Sequence, residues 1–323
     1  MKKQDALFTR NDYSRLKSAG ITPAAVKEQL AMLLRGTGYL SLHRPCTVND
    51  GIKGLSLTEK KKLTAIFDRE AGKYQLLKFV PASGAASRMF ADWFTAMETG
   101  GFGSELSDRQ FFRNLEKLPF FPLIKNDFQG KRLLAGKKTA ELLKFILTQE
   151  GLNFGALPKA LIPFHCYSPA EMRTALEEHL VEAGRYLRNP DNTCHIHFTT
   201  SEEHRKTMLG YFKRRAGIYE KFYGVRFQVS WSVQEPFTET IAVDENNLPL
   251  RDQSGGLIFR PGGHGALLGN LQNLDADFIF IKNIDNIAPR PLLERNLPYK
   301  KLLGGLAFKI TEEIRTIMNR LEK

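Results

Sequence analysis

Lys78 to Phe90, KFVPASGAASRMF, is an apolar run that breaks into small residues and ends on Arg-Met-Phe. Gln75 to Val80 reads as a buried strand. Ser83, Gly84, Ala85, Ala86 and Ser87 follow with almost no side-chain bulk, so their backbone amides can approach a ligand closely. Placed ahead of a helix, such a loop supplies N–H donors and fixed partial positive charge, and Arg88 adds a fork of donors matched to phosphate oxygens. The same residues equally suit a tight strand-to-helix turn in which small side chains only permit close packing.

The 323 residues are enough for one large α/β domain with embellishments or two smaller domains. A hydrophobic content of 42% and a charged content of 25% describe a globular protein and disfavour disorder. The start, MKKQDALFTRNDYSRLK, is basic with no apolar segment behind it, and no later stretch reaches the length of a membrane span. No membrane partner is expected, and the cytoplasm is the expected location. Cys46, Cys166 and Cys194 are far apart with no CxxC pair, which argues against a disulfide framework or a cysteine-rich zinc site. The net charge of +12 suits nucleic acid or small anionic substrates such as nucleotides and sugar phosphates. Because the Lys and Arg residues are dispersed without an interleaved aromatic run, no nucleic acid is expected.

Ahead of the opening stretch, Thr22 to Arg35 and Glu59 to Ala71 read as helices, the second capped by Ser56 or Thr58, with a long loop from Gly36 to Gly54 between them. Behind it, Met89 to Thr99, Asp108 to Leu118 and Lys137 to Glu150 carry helical patterns. GKKT at Gly136 to Thr139 is not a P-loop: Gly130 lies one residue too far upstream, and Lys138 stands where Ser or Thr would ligate magnesium. LPKALIPF, Leu157 to Phe164, holds the lone Lys159 after a proline, and Pro169 to Ala183 reads as a helix capped by Ser168. Strands at His195 to Thr199 and Val225 to Ser230, around a helix from Ser201 to Lys213, indicate an α/β sheet.

His195 and His197 share one strand face and His204 follows, but no second cluster of ligands stands close in sequence to make a metal site. GGLIFRPGGHGALL, Gly255 to Leu268, runs a strand into a second glycine-rich turn around His264, where backbone can approach a flat ring or a phosphate. Asp277 to Ile281 is an apolar strand that ends on Lys282, Asn283, Ile284, Asp285 and Asn286. A carboxylate in that position is where α/β proteins place ligand chemistry, and Asp285 with Asn286 equally suits an Asx turn. Ile310 to Leu321 closes the chain as a helix.

Set in order, these segments resemble the sugar-nucleotide pyrophosphorylases, especially the UDP-N-acetylhexosamine and UDP-sugar type of the nucleotidyltransferase superfamily. ASGAASRM at Ala82 to Met89 is similar to that family's glycine-rich loop ending in Thr-Arg-Leu or Thr-Arg-Met, and LPKALIPF resembles its Pro-Lys segment. HFTTSEEHRKTMLGYF from His197 resembles the family strand ending Met-Thr-Ser, and VSWSVQEPF its Phe-x-Gln segment, with Gln234 at the match. RPGGHGALLGNL at Arg260 to Leu271 resembles Pro-x-Gly-x-Gly before a helix, and KNIDNI at Lys282 to Ile287 resembles Val-Asp-Asn. ASGAASRM, RPGGHGA and FIKNIDN together also resemble a bacterial domain-of-unknown-function family described as nucleotide-diphosphosugar-transferase-like.

The resemblance implies a GT-A, Rossmann-like nucleotidyltransferase fold with a mixed central sheet over residues 75–323, behind a helical lead-in at 1–74. About seventy residues separate Arg88 from Lys159 where the family has a short link, which implies a helical insertion at about 91–156. The implied activity is a magnesium-dependent transfer joining a nucleoside triphosphate, UTP favoured, to a sugar 1-phosphate or similar phosphate, with release of pyrophosphate. Arg88 and the Ser83, Gly84, Ala85, Ala86 and Ser87 amides would hold the triphosphate. Lys159 would neutralise the α-phosphate, and Asp285 would bind Mg2+. Thr200, Gln234, Gly263, His264 and Gly265 would face the nucleotide. The loop is SGAAS rather than a run of glycines, and the family's second acidic ligand has no match here. The alternative is therefore a nucleotide or sugar-nucleotide binding protein without turnover.

Overall fold

The computed structural model describes residues 8–36 and 38–322. The basic first residues and one position of the 36–54 loop, on which two expectations above rest, lie outside the described residues.

In chain order the elements are α1 (Arg10–Ser18), α2 (Pro23–Arg35), β1 (Thr47–Val48), β2 (Gly51–Ile52), α3 (Leu57–Glu70), β3 (Leu76–Pro81), α4 (Ala91–Thr99), α5 (Glu105–Leu115), α6 (Phe121–Asn126), α7 (Phe128–Gly136) and α8 (Thr139–Leu147). There follow β4 (Pro163–Ser168), β5 (Glu171–Thr174), α9 (Ala175–Tyr186), β6 (Thr193–Thr200), α10 (Glu202–Tyr223), β7 (Arg226–Val233), β8 (Thr240–Ile241), β9 (Phe259–Arg260), α11 (Leu268–Gln272), β10 (Phe278–Ile281) and α12 (Arg290–Leu321). The fold is mixed α/β. Among the described residues the strands form one four-stranded sheet, in the order β10-β3-β6-β7, and three two-stranded sheets. Packing divides the chain into two compact units, Met1–Ser56 with Val233–Leu274, and Leu57–Ser232 with Asp275–Lys323.

In the first unit, α1 and α2 are short helices with capping residues that the sequence announces: Thr9 and Asp12 form a reciprocal capping box, and Thr22 precedes Pro23 at the start of α2. Alone they could not bury their apolar stripes. Leu16, Ile21, Val26 and Leu30 are covered by Ile241 and Leu257, which arrive from more than two hundred residues downstream. Buried Asp12 receives two hydrogen bonds from Arg251, at 3.1 and 3.0 Å, and the carboxyl is held below its ordinary value by these bonds and those from Thr9, against the opposing effect of burial.

In the second unit, β3 is fully buried and pairs in parallel with β10 on one side and β6 on the other, so three strand ends open on the same edge. Residues 57–74 pack in this unit. The face of α3 that carries Leu63 and Phe67 packs on α12, where Gly304 and Gly305 remove the side chains that would hold the helices apart. Phe67 stacks on Phe308 with ring centroids 5.5 Å apart, and Tyr74, Phe278 and Phe308 close the same layer. Helices α4 to α8 build a core of their own around Phe111, Leu115, Ile124, Leu142 and Ile146.

One expectation is corrected. Pro169 to Ala183 is not a helix capped by Ser168. Residues 163–174 form the antiparallel β4–β5 hairpin, turning at Pro169 and Ala170, and the helix begins only at Ala175. Ser-Pro imitates a helix start. The reciprocal capping box of Thr174 and Glu177 satisfies two orphan amide groups and sets the true start. The strand within Gly255 to Leu268 is likewise shorter than expected, being only Phe259–Arg260.

The α3–α12 contact yields a direct test. A Cβ on Gly305 would lie 1.9 Å from the Leu63 carbonyl oxygen, a backbone atom that cannot turn aside. Gly305→Ala is expected to lower stability by about 1–3 kcal/mol or more in denaturant titration, despite the better helix propensity of alanine. Gly217→Ala on α10, where the added methyl meets nothing within 4 Å, should be neutral or stabilising.

Candidate functional site

The edge onto which β3, β6 and β10 open is built from three segments of the second unit. The loop after β3 is tied to the segment before β4 by an antiparallel bridge between Ala85 and Pro158: Lys159 N–H donates to the Gly84 carbonyl and Ala86 N–H to the Leu157 carbonyl, both at 3.2 Å. The turn after β10 is tied to β3, Lys282 N–H donating to Phe79 and Ile284 N–H to Pro81, both at 3.0 Å. These ties bring the Lys159 ammonium within 3.1 Å of Asp285 Oδ2, with both side chains partly open to solvent. Gly84 lies under the lysine stem, where a Cβ would meet Lys159 Cδ at 3.7 Å.

Of the loop residues, the amides of Ser83, Gly84 and Ala85 have no protein acceptor among the described residues, whereas that of Ala86 is spent on Leu157. Ser87 and Arg88 are exposed, and Arg88 has no ion-pair partner among the described residues. Thr200 is fully buried, its hydroxyl donating to the Ser201 carbonyl at 3.2 Å and lying 3.3 Å from the Met208 sulfur. Gln234, Gly263, His264 and Gly265 belong to the first unit. Gln234 Nε2 donates to Thr238 at 3.2 Å, and Gly263, His264 and Gly265 are exposed. The glycine that packing requires there is Gly262, where a Cβ would sit 2.7 Å from the Thr238 carbonyl oxygen. His197 is a structural residue: its two ring nitrogens bond Ser230 and Ser232, each at 2.7 Å, and burial lowers its pKa to about 4.

Directly beneath the Asp285 turn lies a buried charge cluster that sequence reasoning missed. Glu182 on α9 faces three ammonium groups: Lys282 at 2.5 Å, Lys300 at 2.8 Å and the fully buried Lys78 at 3.5 Å. Burial lowers the Lys78 pKa to about 7, with Glu182 opposing and the neighbouring lysines assisting. The three lysines hold the Glu182 carboxyl well below the usual range in spite of its burial. One turn earlier on α9, His179 is kept neutral by burial, and its Nε2 bonds the carbonyl of Ile284 at 3.1 Å. Since that carbonyl can only accept, Nε2 carries the proton and Nδ1 is a buried lone pair without a partner among the described residues. The signal in the sequence was Lys78 itself, a single lysine inside the otherwise apolar LLKFVP.

A second network fixes the β4–β5 hairpin. Buried Glu178 accepts from the Tyr167 hydroxyl at 2.6 Å and bonds His165 Nδ1 at 2.9 Å. The Arg173 and Arg290 guanidinium groups both lie against the Tyr167 ring, 4.8 and 4.5 Å from its centroid, and Arg290 N–H donates to its hydroxyl oxygen at 3.1 Å. The segments 159–167 and 285–290 are therefore pinned to each other at both ends, by Lys159–Asp285 and by Tyr167–Arg290.

Among the described residues no group of three or more His, Cys, Asp or Glu side chains could hold a metal ion. Among the described residues the strand-end site offers one carboxylate, Asp285. That donor set fits a magnesium ion carried mostly by phosphate oxygens and water, and it does not fit an ion caged by protein.

A polar strand-end site in a mixed α/β fold defines the class of protein. Residues 9–323 match the family described as Domain of unknown function (DUF4301), and the chain belongs to that family. No curated protein matches it in sequence. Among solved structures, part of the chain is weakly similar to the uridine diphosphate N-acetylglucosamine pyrophosphorylase from Trypanosoma brucei in complex with inhibitor. The identity is 14% and the TM-score 0.42, over 78% of this chain and 38% of that one, so this chain spans well under half of that protein's length. No helix among the described residues is long and apolar enough to cross a membrane.

The buried cluster makes a signed prediction. Glu182→Gln would leave three ammonium groups without a counter-ion and should cost about 3–5 kcal/mol, whereas Lys78→Met removes one of the cluster's two excess positive charges and should change stability by less than about 1 kcal/mol. Between pH 7 and the ordinary lysine value of 10.5, the unfolded chain binds a proton that folded Lys78 has lost. Wild-type stability should therefore rise relative to Lys78→Met across that window. Glu182 acts at the other end: its contribution is complete above 4.5 and is lost as pH falls below it. Urea midpoints of the wild type and both variants at pH 4, 7 and 9 check both signs.

Proposed function

We infer that the strand-end site of the second unit binds the phosphates of a nucleotide and, in the leading reading, transfers a nucleotidyl group to a sugar 1-phosphate or similar phosphate. The observation that carries this reading is the meeting of Lys159, the Gly84 backbone and Asp285 at the ends of β3 and β10. Free N–H groups, a cation and a carboxylate on one spot make a phosphate-and-magnesium constellation. Attack on an α-phosphorus spreads negative charge over its oxygens, so the site needs donors and cations rather than a covalent nucleophile. The amides of Ser83 to Ala85 would hold phosphate oxygens, with Arg88 free to swing onto them. Lys159, released from Asp285, would follow the charge developing on the α-phosphate. A bound Mg2+ would add charge neutralisation between the phosphates. The attacking sugar phosphate is already an anion, so no general base is called for.

The finer reading is a GT-A-type nucleotidyltransferase body at 75–323 with the α4–α8 core as its insertion, using UTP. A second reading, binding without turnover, is favoured by one observation: among the described residues Asp285 is the one carboxylate at the site, and it is paired with Lys159. The proposal rests on the second unit alone.

Calorimetry with UTP and the other nucleoside triphosphates, with and without magnesium, tests the site, and release of pyrophosphate on adding sugar 1-phosphates separates the two readings. Lys159→Ala is expected to weaken triphosphate binding by about ten-fold or more. Asp285→Asn should abolish the magnesium-dependent part while shifting the ligand-free melting temperature little, since a half-exposed pair contributes at most about 1 kcal/mol. Unchanged affinity in both variants would return Lys159 and Asp285 to a structural ion pair.

A further inference from the structure

Helix α12 has two apolar faces. One carries Leu293, Leu297, Leu302, Gly304, Gly305 and Phe308 and is buried. The other is written in two series seven residues apart, Leu303, Ile310, Ile317 and Ala307, Ile314, Leu321. Its large members are open to solvent, Leu303 at 62%, Ile310 at 45%, Ile314 at 55%, Ile317 at 56% and Leu321 at 76% exposure. Beyond Phe308 no described residue of the helix is buried. A seven-residue repeat with apolar residues at alternating spacings of four and three is the pattern of a helix paired along its length with another helix. The last three to four turns would be marginal on their own, so the pattern asks for a partner.

The charges beside the stripe identify that partner. With Ile314 and Leu321 at the a positions and Ile310 and Ile317 at the d positions, Glu313 and Arg320 fall at the two g positions, and the e positions hold the uncharged Thr311 and Met318. In an antiparallel pair, g residues face g residues. Placing Ile314 of one copy against Ile317 of the other sets Ile310 against Leu321 and, in the same register, Glu313 against Arg320, twice over by symmetry. A parallel pair would set Glu313 near Met318 and gains no such match. We propose that the exposed stripe of α12 is a self-association surface on which a second copy of this chain docks antiparallel about a two-fold axis, closed by two reciprocal Glu313–Arg320 ion pairs. Glu313 now has only a loose contact with Lys309 at 3.6 Å, and Arg320 has no ion-pair partner among the described residues. The four large side chains of each copy, with Met318, would bury about 1,000 Å² in total, the lower limit for a specific interface, so the dimer is weak and dissociates in roughly the micromolar range.

Sedimentation velocity over about 1 to 100 µM, where a micromolar equilibrium is resolved, tests this on the full chain. The wild type should pass from monomer to dimer across the range. Glu313→Arg and Arg320→Glu should each weaken association by about ten-fold or more, because each places like charges face to face. The double variant Glu313→Arg/Arg320→Glu should recover the wild-type constant, and Ile314→Glu should remain monomeric. All three positions are exposed, and circular dichroism melting checks that the fold is retained. A wild type that is monomeric at the highest concentration overturns the proposal, as does a double variant no tighter than the single ones, or a monomer that binds anionic phospholipid vesicles in place of itself.

Discussion

Glu182 is the point at which four elements of the second unit are held. The carboxylate comes from α9, and the ammonium groups facing it come from β3 through Lys78, from the turn after β10 through Lys282, and from α12 through Lys300. A buried carboxylate with three cations is costly to assemble, since each ion gives up its water, and the cost is offset only while all four elements keep their places. The cluster therefore fixes position more than it adds stability. What it fixes is the turn that carries Asp285, because Lys282 enters that turn and His179, one helical turn from Glu182, binds the Ile284 carbonyl.

The site follows from that constraint together with the parallel pairing of β3. Parallel strands end side by side, and three such ends leave backbone groups directed at one edge. The small residues 83–86 let the segment carrying Lys159 cross that edge within backbone hydrogen-bond distance, and the β10 turn sets Asp285 beside it. In the proposed reading the lysine would have two alternative partners, the Asp285 carboxylate and phosphate oxygens. A metal drawn to Asp285 and a phosphate drawn to Lys159 would each release the partner that the other needs. The Lys159–Asp285 ion pair is thus compatible with the proposed phosphate site.

Parts of this were legible in the sequence for identifiable reasons. The β3 run and its loop stand out because apolar bulk gives way abruptly to side chains of at most two heavy atoms. The β10 turn stands out because an apolar strand ends on a polar run. The hairpin at 163–174 was hidden because Ser168-Pro169 is a plausible helix start, and only the Thr174–Glu177 box, whose reciprocity is a matter of geometry, decides against it. The lysine cluster was hidden because Lys78, Glu182 and Lys282 lie about a hundred residues apart and each lysine, alone, is ordinary. The cover that Ile241 and Leu257 give to Leu16, Ile21, Val26 and Leu30 was hidden because nothing local in the sequence announces it. Patterns with a short period can be read from one stretch, whereas a contact between remote stretches has no period.

Helix α12 shows both cases in one element. Its inner face follows the packing on α3, where the approach at Gly304 and Gly305 is so close that backbone meets backbone. Its outer face follows a repeat of seven that no neighbour within the described residues answers. A single straight helix on a globular surface needs one apolar stripe and a polar remainder. A helix with a second stripe, in a different register and flanked by charges that match only on reversal, carries the imprint of two partners, and the chain supplies one of them.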